Sequence, residues 1–392
     1  MSLSAILIKD DTFLLAWLWE KSNLMNKIII NLACIKKNLL ALSKRANVQL
    51  KQVMPVVKSD AYGHGLQAVV KILSSQNVKG FAVSEVEEAN LIRKLGINLP
   101  ILLLSGVYPG EEEFALELSL TVGVYAEDQL DRLELVAAKH GKPISIHVKV
   151  DTGMTRFGFS ESELHNLLKN REQWPHLSFD GLFSHLSSAD NPEDPLTLKQ
   201  IETFNKMIIL SKTLGWKPKC IHLANSAASI SFKQAVFDCI RPGLAIYGAY
   251  PGLASKRLVQ LFPAMSYQSG IVALKNVKKD TPIGYSHSFY SKTPSKIAVV
   301  PVGYDNGYLR AASNKAEVLV KGVRCPVVGN ICMKSLMIDV TKVSDVVIGD
   351  QVVLLGKQGD DEITIEELAS WASTISYELL CLLGTRNKRI YL

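Results

Sequence analysis

Residues 80–104 read GFAVSEVEEANLIRKLGINLPILLL. Apolar runs at 80–83 and 99–104 enclose a segment, 84–95, in which Ser84 and Glu87 have the S-x-x-E spacing of a helix start and Gly96 stands where a helix end belongs. That is strand, helix, strand, and strands joined by a helix lie parallel in one sheet. The rhythm continues in both directions. Short runs rich in Val, Ile and Leu predict further strands at 52–57, 120–124, 144–150, 179–183 and 220–223, with longer amphipathic stretches between them. Such strands are apolar on both faces, and the number of units over about 230 residues favours a closed (β/α)8 TIM barrel over an open sheet. After Pro263 the texture changes. Predicted strands at 271–277, 297–302, 316–320, 337–340 and 351–355 are separated by turn residues such as Asp305-Asn306-Gly307, and one short helix is expected near 364–374. The expected organisation is an α/β chain with a barrel at 27–262 and a mainly β C-terminal domain at 263–392. Residues 1–26 read as a non-catalytic N-terminal extension, or as a misplaced start with Met25 the true first residue.

Composition narrows the function. The 392 residues are 47% apolar, ample for two cores. Lys+Arg 44 against Asp+Glu 37 leaves +7, but charged residues are only 21% and no block of like charges occurs, so nucleic-acid binding has no footprint. Small anionic ligands suit the excess. The longest apolar stretch, 13–19, is far below the roughly eighteen residues that span a bilayer, and no cleavage pattern follows it, so neither a membrane partner nor export is expected. Cys34, Cys220, Cys239, Cys325, Cys332 and Cys381 are scattered with no C-x-x-C pair, which argues against a disulfide scaffold or zinc site and for a cytoplasmic protein.

Several residues carry chemistry. Lys58 ends the strand at 52–57 and leads into Tyr62-Gly63-His64-Gly65; barrel active sites form at the carboxyl ends of strands, and partial desolvation there makes an amine a Schiff-base nucleophile. On the strand at 144–150, alternation puts His147, Lys149 and Asp151 on one side, either a functional set or a structural ion cluster. Arg156 follows in a glycine-bracketed loop, suited to a carboxylate or phenolate. His185 and His222 stand at strand ends without the spacing of metal ligands, so no metal is expected. Asn225-Ser226-Ala227-Ala228 and Arg241-Pro242-Gly243-Leu244 match the phosphate site that barrels build after strands seven and eight. A ligand with a phosphate that reacts with a lysine is implied.

Taken in order, these blocks, with Gly303-Tyr304-Asp305-Asn306-Gly307, resemble the bacterial alanine racemase family from about Asn26 to Leu392. The resemblance implies pyridoxal 5'-phosphate joined to Lys58 and a two-base racemisation, in which Lys58 and Tyr285 serve opposite faces of the α-carbon. It implies a hydrogen-bonded chain from Tyr285 through His185 to Arg241 at the pyridine nitrogen, where a guanidinium does not protonate the ring. By the same resemblance Tyr62, Ser226, Gly243 and Leu244 hold the phosphate beside Asn225, Arg156 meets the phenolic oxygen and the substrate carboxylate, and His222 packs on the ring. Met333 and Tyr304 belong to the substrate site, Asp190 has an orienting role, and Lys149 matches a lysine that is carbamylated in several members. A head-to-tail homodimer is implied, with Tyr285 reaching the partner's barrel, and the product D-alanine would supply peptidoglycan. Lys334, Asn330 and Thr385 depart from the usual pattern of aspartate, arginine and tyrosine. A lysine at 334 would tighten carboxylate binding, alter access, or disable the site by pairing with Asp190 or Tyr285. Other readings are a racemase of another small amino acid such as serine, a pyridoxal-phosphate homeostasis protein, or a decarboxylase.

Overall fold

The computed structural model describes residues 26–392; the reading of 1–26 as an extension falls almost wholly outside them. The chain forms two units, one of residues 32–262 and one that unites the segment before residue 32 with 263–392.

The first unit is a parallel barrel. Six strands, Phe81–Val83, Ile101–Leu103, Leu120–Val124, Ile144–Lys149, Leu177–Phe183 and Cys220–His222, pair with their neighbours in chain order. Two short segments close the ring. Residues 53–57 bridge to Ala82 on one side and to Ile240 on the other, and residues 238–241 bond to Ile221 and Ala224. The segment expected as a regular strand at 52–57 is therefore a 3-10 turn, Leu50–Gln52, followed by isolated bridges. Proline at 55 has no N–H to give a ladder, which keeps the pairing sparse. Val53, Phe81, Ile101, Val122, Ile146, Leu182 and Ile240 are fully buried in this core. The helix predicted at 84–95 spans Val86–Lys94, but its start is held by Glu88 rather than by the Ser84/Glu87 pair. Glu88 Oε2 accepts from the backbone N–H groups of Ser84 and Glu85, and its Oε1 from that of Ser59. Gly96 ends it at φ +76 as expected.

The second unit is mainly β. Its largest sheet runs Val323–Pro326, Glu317–Val320, Gln351–Gln358, Met265–Gly270, Lys27–Ile30, Arg389–Tyr391, with Asp361–Ile363 on the side of Gln351–Gln358. The strand Lys27–Ile30 corrects the expected boundary at residue 27. It pairs antiparallel with Met265–Gly270 and parallel with Arg389–Tyr391, so it belongs to this unit and not to the barrel. Alternation explains its place: Ile28 and Ile30 are fully buried while Lys27 and Ile29 are half-buried. A three-stranded sheet, Leu336–Asp339, Ser295–Val300 and Ala273–Val277, and a small hairpin, Pro282–Ile283 with Phe289–Tyr290, complete it. The short helix expected near 364–374 is Ile365–Trp371, capped by Thr364 and Glu367; a second helix, Ser376–Arg386, follows that the sequence reading lacked.

Candidate active site

The turn after Lys58 is the most unusual backbone in the chain. Ser59, Asp60, Ala61 and Tyr62 all take φ between +52 and +54, a left-handed helical turn of non-glycine residues. Each such residue costs roughly 1 to 2 kcal/mol, so the surroundings must hold it. They do. Asp60 Oδ1 accepts from Leu66 N–H at 2.7 Å, its carbonyl accepts from Gly65 N–H at 2.9 Å, and Glu88 accepts from Ser59 N–H at 2.5 Å. His64 Nδ1 donates to the Tyr62 carbonyl at 2.9 Å, and its ring stacks on Tyr247 at 4.5 Å, with Tyr62 against the same ring at 5.1 Å. Tyr247 Oη in turn donates to Val56 O at 3.0 Å, tying the aromatic group to the strand that ends in Lys58.

Tyr62 and the Arg241 loop meet directly. A Cβ at Gly243 would lie 2.4 Å from Tyr62 Oη, so only glycine lets the phenol and this backbone approach. Ser226 Oγ accepts from the N–H groups of Gly243 at 2.9 Å and Ala245 at 3.2 Å, and Leu244 is buried beside them. Asn225 is engaged by the fold. Its Oδ1 caps Ala228 N–H at 3.0 Å and its Nδ2 donates to Leu186 O at 3.3 Å. The residues expected to hold a phosphate thus form one contiguous group.

Arg241 is buried, donating through Nη2 to Ser184 O at 2.7 Å and through Nη1 to His222 Nδ1. Because a guanidinium only donates, His222 must accept at Nδ1 and carry its proton on Nε2. That proton is donated to His147 Nδ1 at 2.8 Å, and Phe183 stacks on the His222 ring at 4.9 Å. Both nitrogens and one face of His222 are therefore committed to protein neighbours, and its visible role is to hold Arg241. Burial pushes the His222 imidazolium well below the ordinary histidine range and the His147 imidazolium down to about 4. Gly181 makes room for His147, since a Cβ there would lie 2.5 Å from the imidazole.

Three further basic side chains, Lys58, Lys149 and Arg156, act on the same region as Arg241. Burial, then the charges of Arg241, Arg156, Lys149 and Lys58, drive the His185 imidazolium down to about 3. Burial, with Arg156, Arg241 and Lys58, lowers the Lys149 ammonium to about 7; Asp151 is the opposing charge. Lys149 Nζ sits over the rings of Phe157 and Phe183 at 5.0 and 5.5 Å. Asp151 Oδ1 is already occupied by the N–H groups of Gly153, Met154 and Thr155, which shape the loop that carries the exposed Arg156. Phe157 also carries Arg156 at 5.9 Å and Phe183 carries Arg241 at 5.4 Å, so three basic groups share two rings, a concentration of positive charge that attracts anions. Asp190 lies on an exposed part of the loop after His185, its carbonyl packed on Gly252.

The remaining expected residues are in the β unit. Tyr285 is 70% exposed on a corner where Gly284, Ser286 and His287 all have positive φ, and Asn330 Nδ2 fixes its carbonyl at 2.8 Å. Tyr304 and Met333 are neighbours: Tyr304 N–H donates to Cys332 O and Asp305 N–H to Met333 O, both at 3.1 Å, over a Gly303 too close to Cys332 O for any side chain. Lys334 is paired with Asp305, with Arg386 at 3.8 Å from the same carboxylate, so its charge is answered within its own unit. Sequence reading placed His147 without giving it a role and passed over Tyr247 and Gln200. Gln200 Oε1 accepts from Ser187 N–H and its Nε2 donates to His185 O, holding that loop. Tyr247 lies three residues beyond the Arg241-Pro242-Gly243-Leu244 block, but nothing local marks Gln200.

Comparison with known proteins agrees with this geometry. Residues 30–251 match the alanine racemase N-terminal domain family and residues 264–391 the alanine racemase C-terminal domain family. Alanine racemase 2 of Caldanaerobacter subterraneus is 36% identical over 367 residues, covering 93% of this chain and 94% of that protein. The crystal structure of alanine racemase from Streptomyces lavendulae superposes with a TM-score of 0.88 at 30% identity, covering 94% of this chain and 97% of that one. The Bartonella henselae alanine racemase with covalently bound pyridoxal phosphate gives 0.85 at 27% identity, covering 94% and 99%. Arg241 held by His222, the Tyr62 and Gly243 contact, and the strained lysine turn thus sit within a chain that belongs to the alanine racemase family.

Proposed function

We propose that this protein interconverts L-alanine and D-alanine using pyridoxal phosphate, in the cytoplasm, with D-alanine passing to peptidoglycan synthesis. The observation that carries the reading is the convergence of Lys58, Lys149, Arg156 and Arg241 beside the Tyr62, Ser226 and Gly243 group. The residues fit the cofactor: a phenol, a hydroxyl and the Gly243 backbone meet where a phosphate would be held, and the basic side chains of Lys149, Arg156 and Arg241 lie over two neighbouring rings. Its family neighbour from Bartonella binds the same group covalently. When bound, this cofactor acidifies the α-hydrogen of an amino acid joined to it. Six unbridged cysteines support the reducing compartment.

Lys58 holds the cofactor and exchanges a proton at Nζ on one face of the substrate, while Tyr285 of the partner subunit exchanges one at Oη on the other. Arg241, fixed by His222 and Ser184, presents a donor that would not surrender its proton to the cofactor's ring nitrogen, which would favour inversion over amino-group loss. Arg156 receives the substrate carboxylate. Lys149, its ammonium brought to about 7, has enough neutral amine to add CO2 and become an anionic partner for Arg156.

The deciding experiment incubates the enzyme with L-alanine and, separately, L-serine in heavy water and follows α-deuterium and optical rotation together. Racemisation of alanine with one deuterium per inversion supports the assignment. Faster turnover of serine moves the substrate, and release of CO2 or keto acid removes the racemase reading.

A further inference from the structure

Cys220 and Cys239 face one another across the strands that carry His222 and Arg241. Their sulfurs are 3.8 Å apart, and both side chains are buried. The register is close: Asp238 N–H donates to Ile221 O, and Ile221 N–H to Asp238 Oδ2. Each cysteine lies two residues before a member of the Arg241–His222 pair, so it shares the face of its strand with that member. None of the roles assigned above uses either thiol.

We propose that Cys220 and Cys239 form a reversible dithiol/disulfide site through which peroxide lowers the racemase activity by displacing Arg241 and His222. The two thiols share one S–H···S contact in which either can donate, and Lys79 and Arg241 act on both sulfurs, so one of the pair, written here as Cys220, serves as the thiolate. That thiolate attacks one peroxide oxygen; the O–O bond breaks, Cys220 becomes a sulfenic acid, and hydroxide leaves and takes a proton to become water. The Cys239 sulfur then attacks the Cys220 sulfur, the S–O bond breaks, and the departing hydroxide leaves as water with the Cys239 proton. Two thiols give up two electrons and one peroxide becomes two waters. Closing the bond brings the sulfurs from 3.8 Å to about 2.05 Å, a shift of roughly 1.8 Å shared between rotation of the two side chains and movement of their backbone. Two residues on, the shift reaches the contact that fixes Arg241. A disulfide formed by such distortion is readily reduced, as a reversible control requires.

The proposal rests on the racemase reading only for its activity readout; the bond itself is read by mass. The holoenzyme is treated with graded hydrogen peroxide, quenched with an alkylating agent, and divided between peptide mapping and assay with L-alanine. The expected result is a Cys220–Cys239 cross-link, lighter by two hydrogens than the paired thiols. Its growth tracks a several-fold or greater loss of kcat that dithiothreitol restores. Cys220→Ala and Cys239→Val, each checked for native circular dichroism, should retain activity at the same dose. Both thiols recovered alkylated at an inactivating dose, equal inactivation of the two variants, or a cross-link that leaves kcat unchanged would each overturn it.

Discussion

Arg241 has its meaning through the two histidines behind it. A guanidinium with an imidazole acceptor, and a second imidazole accepting from the first, has one proton arrangement, and in it both rings are neutral. This gives the barrel unit a defined acid response. His147 is held at about 4 when folded against about 6.5 when unfolded. Above pH 6.5 both states are neutral and the contribution to stability is complete. As pH falls from 6.5 toward 4 the unfolded chain takes up the proton first, so stability is lost over that window, at up to about 1.4 kcal/mol per pH unit. Urea unfolding of the cofactor-free protein at pH 7, 6, 5 and 4 should show this slope, and His147→Gln, which still offers an acceptor to His222, should flatten it by about one proton. An unchanged slope would show that His147 is not the neutral ring the geometry requires. Lysine at 334 has a simpler account, since Asp305 answers it and neither Tyr285 nor the carboxylate site need do so.

Among elements, the left-handed turn of residues 59–62 is the strained one, and it sits directly after Lys58. Ser59 is exposed with φ +53, so removing its Cβ relieves strain without emptying a core. Ser59→Gly is expected to stabilise the protein by roughly 0.5 to 1 kcal/mol, and Ser59→Val to destabilise it by more, because a branched Cβ fits worst at positive φ. Shifts of the thermal midpoint in the opposite order would mean that the turn is not strained. Other elements show what could be read in advance. The six paired barrel strands were legible because each is a local apolar run, and a helix near 364–374 was expected where Thr364 and Glu367 cap Ile365–Trp371. Ser376–Arg386 begins at Ile375 with no side-chain cap, so the sequence carries no start signal there. Lys27–Ile30 was not read as a strand, and its place in the β unit was not legible, since pairing with Met265–Gly270 and Arg389–Tyr391 is decided by contacts remote in sequence. The site divides the same way. Lys58, Arg241 and Tyr62 stood out one by one, whereas the link from Arg241 through His222 to His147 exists only once the ring has closed.

For the whole molecule the proposed exchange of Tyr285 between subunits gives a test that needs no structure of the complex. If each site takes Lys58 from one chain and Tyr285 from the other, Lys58→Ala and Tyr285→Phe homodimers are both inactive. A mixed dimer then has one doubly altered site and one intact site. Mixing the two variants under conditions of subunit exchange should restore racemisation, approaching half the wild-type rate per mixed dimer. No recovery, with exchange shown by differential labelling, would place both residues in one chain.

The position of Lys27–Ile30 also sets an order of events during synthesis. This strand leaves the ribosome before any barrel residue, yet both its neighbours, Met265–Gly270 and Arg389–Tyr391, emerge after the barrel. Ile28 and Ile30 must therefore wait in solution while residues 32–262 are made, and the barrel is free to mature as an insertion inside an unfinished host. Nascent chains halted shortly after residue 262 should carry a structured barrel and an adhesive, unclaimed strand, a natural target for trigger-type chaperones.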